Sequence, residues 1–164
     1  DEGISLENAV AAEEAARGLS LSDFDLDRLR SREMGEASSV VASIPGVRAA
    51  LVEMQQNFAA RPEGAVLDGR DIGTVICPQA RIKIFVTASP ETRAQRRALE
   101  LAGRGEPADY NHILEDVLKR DARDSARQTA PLKQAEDAYL IDTTELDKEA
   151  VFTKALGIIE QRRH

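Results

Sequence analysis

Apolar positions along this chain follow two periods, and the two periods predict two kinds of secondary structure. Short runs rich in branched apolar residues occur at 65–67, 82–88 and 137–142. Runs of this length and composition are typical of strands buried in a parallel sheet. The sequence therefore predicts an α/β fold that contains these three strands.

Between and around these strands, apolar residues recur three and four positions apart, as they do on the buried face of a helix. Pro45 fits the first turn of one such helix, and its apolar stripe consists of Val47, Leu51, Met54 and Phe58. Ser89 and Pro90 predict the cap and the first residue of another helix. Further helices are predicted at 8–17, about 27–43, about 111–127 and at the end of the chain, where Val151, Phe152, Leu156 and Ile159 are the expected buried residues.

Composition restricts the class of function. With 164 residues the chain is expected to form a single domain, 1–164. Its formal charge of −7 argues against a nucleic-acid partner, which usually requires a basic surface. Cys77 is the only cysteine, so no disulfide framework or cysteine metal cluster is expected. Because no signal peptide or membrane-length apolar run is visible, a cytoplasmic location and no membrane partner are expected.

A polar cluster follows the first predicted strand, where Asp68, Gly69, Arg70 and Asp71 come directly after 65–67. In open parallel sheets, ligands bind outside the carboxyl ends of the strands. Phosphate-loop enzymes place a carboxylate that binds Mg²⁺ directly after a strand, which is the position of Asp68. An ordinary strand-to-loop turn would also use an Asp-Gly pair, so the cluster alone leaves both interpretations open.

Cations accumulate further along the chain, although the chain as a whole is acidic. Seven of the eight between 93 and 127 are arginine, the residue best suited to bidentate phosphate contacts. Ion pairs on solvated helices would account for one or two of them. A small polyphosphate ligand accounts for the whole set, which is Arg93, Arg96, Arg97, Arg104, Lys119, Arg120, Arg123 and Arg127.

Together these segments resemble bacterial cytidylate kinase, a nucleoside monophosphate kinase of the phosphate-loop class. The resemblance covers about 29–159, and its order and spacing are specific. The matching segments are Pro45-Gly-Val-Arg, Leu67-Asp-Gly-Arg-Asp-Ile-Gly-Thr-Val, Lys83-Ile-Phe-Val-Thr-Ala-Ser, Arg93-Ala-Gln-Arg-Arg, Arg120-Asp-Ala-Arg-Asp-Ser-Ala-Arg, Ala130-Pro-Leu and Asp137-Ala-Tyr-Leu-Ile-Asp-Thr-Thr.

The resemblance implies a phosphate-loop kinase-like parallel sheet flanked by helices. It also implies ATP-dependent phosphorylation of CMP or dCMP to the diphosphate, a step of pyrimidine nucleotide metabolism, with Mg²⁺ as cofactor. The implied partners are the nucleotides CMP, dCMP and ATP, and a monomer is expected. Residues 18–60 would approximate the monophosphate-binding region and 96–110 the lid.

Site roles follow from the same resemblance. The implied catalytic residues are Asp68, which would direct Mg²⁺ through water, and Arg70, Arg97 and Arg120. The implied CMP-binding residues are Ser39, Arg48, Arg70, Asp71, Arg120, Asp124 and Arg127. The helix and lid that close over ATP would contribute Arg93, Arg96, Arg97 and Arg104.

Two departures from the family pattern stand out. The β-hairpin of the monophosphate-binding region is shortened, with 18–30 in its place. No Gly-x-x-x-x-Gly-Lys-Ser/Thr pattern occurs in the 164 residues, so the first two strands of the family's sheet, including the central one, are expected to be missing. These residues alone are therefore expected to be inactive.

The missing central strand leads to an expectation about the sheet. The strand at 82–86 should pair in parallel with 139–141, and an empty slot should separate it from 65–67. Two other functions stay open: another phosphate-loop kinase of small molecules, such as a shikimate kinase, or an inactive fragment that binds nucleotide without turnover.

Overall fold

The computed structural model describes residues 8–19, 32–41, 44–126 and 131–162, and for 32, 33, 35, 36 and 39 it describes the backbone alone. The chain divides into two compact units, Asp1–Val66 and Leu67–His164, and each is described here by itself. The first unit is helical and the second combines helices with a small parallel sheet. The predicted α/β class is confirmed, while a single domain over 1–164 stays a prediction.

Three helices make up the described part of the first unit: α1 (Ala9–Arg17), α2 (Arg32–Val41) and α3 (Pro45–Ala59). Asn8 caps α1 by accepting a hydrogen bond from the Ala11 N–H. Pro45 is the first residue of α3, as predicted. The helix predicted at about 27–43 is confirmed for 32–41, and its remaining positions lie outside the described residues.

A close approach between α1 and α3 forms the core of this unit. Val47 and Ala50 of α3 are 1% and 5% exposed, and Ala12 of α1 is 7% exposed. A Cβ atom added to Gly46 would lie 1.8 Å from Oε2 of Glu13. A side chain at position 46 would therefore displace the carboxylate end of Glu13.

The second unit contains a two-stranded parallel sheet formed by β1 (Ile84–Thr87) and β2 (Tyr139–Asp142). Ile84 is the partner of Tyr139, and this register continues to the end of both strands. Beyond the ladder, the Thr143 N–H donates to the Thr87 carbonyl at 2.8 Å. The predicted parallel pairing of 82–86 with 139–141 is thus confirmed.

The strand predicted at 65–67 is wrong. These residues are not in a strand, and Val66 is 95% exposed. Among the described residues the sheet consists of β1 and β2, so no strand lies beside 65–67 to supply ladder hydrogen bonds. An apolar run forms a strand only where a neighbour pairs its backbone and covers its side chains. The empty slot expected between 65–67 and 82–86 cannot be located, because 65–67 does not form a strand.

Helices α4 (Pro90–Gly103) and α5 (Tyr110–Ser125) pack against each other beside the sheet. Ser89 caps α4 by accepting from the Thr92 N–H at 3.1 Å, as its sequence predicts. Asp109 caps α5 in the same way. Ala94 of α4 is completely buried, and it marks the side of this helix that faces the core.

The last helix, α6 (Lys148–Gln161), buries less than its apolar stripe predicts. Phe152, Leu156 and Ile159 are 68%, 41% and 37% exposed, so the expectation that they are buried is wrong. Val151 is half-buried. The helix packs against β2, and a two-stranded sheet is too narrow to cover a whole helical face.

A π-helical turn at Ile72–Ile76 follows the polar cluster and was not predicted. The Cys77 N–H donates to the Ile72 carbonyl at 2.7 Å, which closes a ring one residue wider than that of an α-helix. Turns of this kind often occur at functional sites.

Among the described helices, none combines the length and the apolar character that a membrane crossing requires.

Candidate active site

The polar cluster 68–71 leads directly into the π-helical turn. The carbonyl oxygen of Asp71 accepts hydrogen bonds from the N–H groups of Thr74, Val75 and Ile76, at 3.2, 2.8 and 3.3 Å. The carboxylate of Asp71 makes no capping hydrogen bond to the turn. Asp68 and Arg70 are exposed, and Asp71 is half-buried. The turn thus starts at Asp71, directly after Asp68 and Arg70.

Asp124 of α5 brings two of the predicted site arginines together. Its side chain is 4% exposed, and its Oδ2 lies 2.9 Å from Nε of Arg70 and 3.9 Å from Nε of Arg120. The side chains of Arg70 and Arg120 are 43% and 63% exposed. A buried carboxylate thus orients two arginines that stay accessible to a ligand.

A second ion pair joins α4 to α5 next to the first. Arg93 donates from Nη1 and Nη2 to the two carboxylate oxygens of Asp121, at 2.9 and 2.5 Å. Its Nε donates to the Ala88 carbonyl at 3.1 Å, directly after β1. Fork-shaped pairs of this kind are the strong form of the arginine–carboxylate contact. Arg93 therefore ties the end of the sheet to both helices.

The two ion pairs form one cluster. The hydrogen bonds from Arg93 hold the pKa of Asp121 below its ordinary value, and the charges of Arg70 and Arg120 lower that pKa further. The same pair raises the pKa of Arg93. We call this group the arginine cluster: Arg70, Arg93 and Arg120 with Asp121 and Asp124. Three positive and two negative charges leave it with one excess positive charge, as an anion site requires.

Acid should weaken the Arg93–Asp121 pair in a defined pH range. The folded-state pKa of Asp121 lies below the unfolded value of about 3.8. Its stabilising contribution is thus complete above that value and is lost as the pH falls through the folded pKa. We expect Asp121→Asn to lower the free energy of unfolding by about 1 kcal/mol at pH 7, because both partners are partly exposed.

Urea unfolding of the two proteins between pH 3 and pH 7 measures this difference. The difference should be constant above about pH 5 and should shrink below pH 4, where Asp121 of the parent protein takes up its proton. Glu136→Gln, a charge-neutralising change at an exposed carboxylate of the same unit, serves as control. A difference between Asp121→Asn and the parent that is independent of pH would contradict the assignment.

The predicted lid arginines have other partners in the structure. Arg96 donates to the Thr143 hydroxyl at 3.0 Å and to the carbonyls of Thr143 and Leu146, at 2.6 and 3.0 Å. Arg97 and Arg104 both donate to the carboxylate of Glu100, at 2.8 and 2.6 Å. Arg96 is thus bound to the loop after β2, whereas Arg97 and Arg104 share an exposed carboxylate. Contact of any of them with ATP stays a prediction.

The remaining predicted CMP residues are Ser39, Arg48 and Arg127, and the structure does not test their roles. Ser39 lies in α2, where only its backbone is described, and Arg127 lies outside the described residues. Arg48 is a half-buried residue of α3, in the first unit. Whether these residues converge on the arginine cluster stays a prediction.

Sequence reasoning did not assign three residues that the structure places in or beside the site. These residues are Asp121, Glu100 and Thr143. Glu100 lies three residues after Arg97 and four residues before Arg104, and this helical spacing could have identified it. The partners of Asp121 and Thr143 lie 28 and 47 residues away, so no local pattern could have identified them.

The fit of a metal ion can be tested on the carboxylates of the second unit. The described residues contain no group of three or more side chains that could enclose a metal ion. Mg²⁺ in phosphoryl-transfer sites needs fewer, because one or two carboxylates and the phosphates of the substrate share it with water. The exposed carboxylate of Asp68 fits that requirement.

An α/β unit that gathers arginines beside an acidic loop has the features of an enzyme that handles small phosphorylated substrates. Comparison with known proteins identifies the family. The cytidylate kinase family model matches residues 4–161. The chain is 65% identical over 160 residues to the cytidylate kinase of Methylocella silvestris, covering 98% of this chain and 74% of that protein. It is 59% identical over 158 residues to the cytidylate kinase of Xanthobacter autotrophicus, covering 96% of this chain and 76% of that protein. The chain belongs to the cytidylate kinase family.

Proposed function

We propose that this protein transfers the γ-phosphoryl group of ATP to CMP or dCMP and produces the corresponding diphosphate, as an enzyme of pyrimidine nucleotide metabolism. The observation that carries the proposal is the arginine cluster, in which buried Asp124 orients Arg70 and Arg120 beside the acidic loop 68–71. Membership of the cytidylate kinase family supports CMP as the acceptor. A cytoplasmic, monomeric enzyme belongs to the same proposal.

Phosphoryl transfer requires positioning and charge stabilisation more than covalent chemistry. Arg70 and Arg120 would bind the phosphate of the acceptor nucleotide, since their guanidinium groups are exposed and face one carboxylate. Asp124 would hold Arg70 in place and contact the sugar together with Arg127. An arginine oriented before substrate arrives loses less side-chain entropy on binding.

Recognition of the base would rest on Ser39, Arg48 and Asp71. Cytosine differs from uracil in its exocyclic amine, which donates hydrogen bonds. The carboxylate of Asp71 can accept from that amine, and uracil presents a carbonyl oxygen at the same position. A half-buried acceptor would therefore favour CMP over UMP, because uracil would leave the carboxylate without a donor.

The donor side of the site would be closed by the lid, 96–110. In this segment α4 ends at Gly103, and Gly105 adopts a φ of +73°, which favours glycine. Arg97 and Arg104 would leave Glu100 to meet the phosphates of ATP, and Arg97 would contact the transferring group. Arg93 and Arg96 would hold the base of the lid helix and complete the ATP side. Lid closure would exclude water, which competes as acceptor.

Mg²⁺ would complete the site. When bound, it neutralises charge on the phosphates of ATP. Asp68 would hold it, through water, at the start of the polar cluster. No phosphate-loop pattern occurs in the 164 residues, and lack of activity in these residues alone stays a prediction.

Acceptor specificity tests the proposed function. The test uses the intact protein, which means these 164 residues together with the expected phosphate-loop portion. With ATP and Mg²⁺ it should phosphorylate CMP and dCMP with kcat/KM values at least about 100-fold above those for UMP and AMP, as expected when a polar pocket recognises one base. A coupled assay of ADP release measures all four acceptors, with shikimate as a further acceptor. Faster transfer to UMP, AMP or shikimate would contradict the proposal, and so would binding of CMP without turnover.

A further inference from the structure

Lys83 is a buried cation that the proposed reaction does not use. Its side chain is 7% exposed, and it stands directly before β1. Its backbone carbonyl accepts from the Tyr139 N–H at 2.9 Å, which extends the pairing of the two strands by one residue. Lysine is seldom buried without a specific partner. Its partners therefore indicate what it does.

The ammonium group of Lys83 binds the far end of the π-helical turn. Nζ donates to the Pro78 carbonyl at 2.5 Å and to the two carboxylate oxygens of Asp137 at 2.9 and 2.7 Å. Pro78 follows Cys77, whose N–H closes the turn on Ile72. Lys83 thus connects the sheet to the segment that leaves the turn.

The aliphatic part of the same side chain supports the turn in its middle. A Cβ atom added to Gly73 would lie 3.3 Å from Cδ and 3.6 Å from Cγ of Lys83. It would also lie 3.7 Å from the Cβ of Ala135. Gly73 therefore lets the turn lie directly on the lysine stem. The turn is held at two points by one side chain.

We propose that Lys83 is a positioning residue for the acceptor site, because it fixes the π-helical turn that presents Arg70 and Asp71. The expected effect on CMP binding rests on the proposed function. The expected effect on the order of the turn rests on the contacts alone. The turn begins at Asp71, whose carbonyl accepts three backbone hydrogen bonds, and it ends at the segment held by Lys83. Loosening its far end should let Asp71 and Arg70 shift by an amount that matters for substrate binding.

Lys83→Met is the informative variant, because methionine keeps most of the stem and removes the ammonium group. The variant should fold, since Asp137 is 65% exposed and can be hydrated once its partner is lost. We expect the KM for CMP to rise about 10-fold, with the KM for ATP changed less than twofold. Lys154→Met, at an exposed lysine of α6, is the matched control and should leave both values unchanged.

A second variant and a second measurement keep the test independent of folding and of activity. Asp137→Asn weakens the same anchor from an exposed position and should raise the KM for CMP two- to threefold. Hydrogen exchange of the amides at 71–77 should be at least about 10-fold faster in Lys83→Met, with exchange in α4 and α5 unchanged. Hydrogen exchange needs no substrate. It therefore tests whether Lys83 holds the turn even if the proposed function is wrong.

Three results would overturn the inference. One is an unchanged KM for CMP in folded Lys83→Met. Another is an equal rise of the KM values for CMP and ATP, which would indicate general loosening. The third is unchanged exchange at 71–77, which would show that Lys83 does not hold the turn.

Discussion

Replacing Arg70 with alanine should lower kcat/KM for CMP by about 1,000-fold in the intact protein, the loss typical for removing a donor aimed at developing charge. The Arg70 side chain is 43% exposed, and its Nε lies 2.9 Å from a carboxylate oxygen of Asp124. Its removal would take away the proposed phosphate contact and the ion pair with the buried carboxylate of Asp124. Both consequences act on the acceptor side, so the KM for ATP should change little.

Steady-state kinetics with CMP and ATP varied separately would measure this effect. Arg70→Lys should recover only part of the activity, because an ammonium group cannot form the planar two-point contact of a guanidinium group. Arg81→Ala is the matched control, since Arg81 is an exposed arginine of the same unit that donates to the Arg162 carbonyl. A loss below tenfold for Arg70→Ala, or equal rises of the KM values for CMP and ATP, would refute the assigned role.

Replacing Asp71 with alanine should lower kcat/KM for CMP by about 100-fold and leave ATP binding nearly unchanged. A site that hydrogen-bonds a base discriminates strongly, because a lost partner leaves a buried polar group unpaired. The turn should survive the change, since the backbone carbonyl of Asp71, and not its carboxylate, accepts the hydrogen bonds that begin the turn.

The ratio of kcat/KM for CMP to kcat/KM for UMP is the sharper measurement. It should fall in Asp71→Ala, and it should fall further in Asp71→Asn, where the amide can donate to the uracil carbonyl. Hydrogen exchange at 72–77 verifies that the turn is intact in both variants. If CMP and ATP binding weaken equally, or if the ratio does not change, Asp71 does not read the base.

Local chemistry accounts for the features that sequence predicted well. The start of α4 at Pro90 follows from the Ser89 hydroxyl and the fixed φ of proline, both of which act within three residues. The start of α3 at Pro45 has the same origin. The parallel partner of β1 was predicted from the sheet of the family that the chain resembles. The candidate site residues came from a resemblance that spans most of the chain.

The errors share one physical cause, which is that burial depends on neighbours. Val66 and Phe152 have the composition of core residues and yet are 95% and 68% exposed. Whether such a residue is covered depends on which element lies beside it, and a pattern along one chain segment does not contain that information. The π-helical turn was missed for a similar reason, since Lys83 holds it from a strand that follows later in the chain.

The sequence by itself determined the class of this protein and the identity of its candidate site residues, because caps, periodicity and family motifs are local in the chain. Tertiary structure decided which charges meet. Asp124 could have paired with any arginine on its own helix face, and only folding placed Arg70, 54 residues earlier, within 2.9 Å of its carboxylate. Likewise, only the packing of α4 on α5 brought Arg93 to Asp121. Contacts over such distances depend on the whole fold, because their free energy is gained only after the intervening chain is ordered.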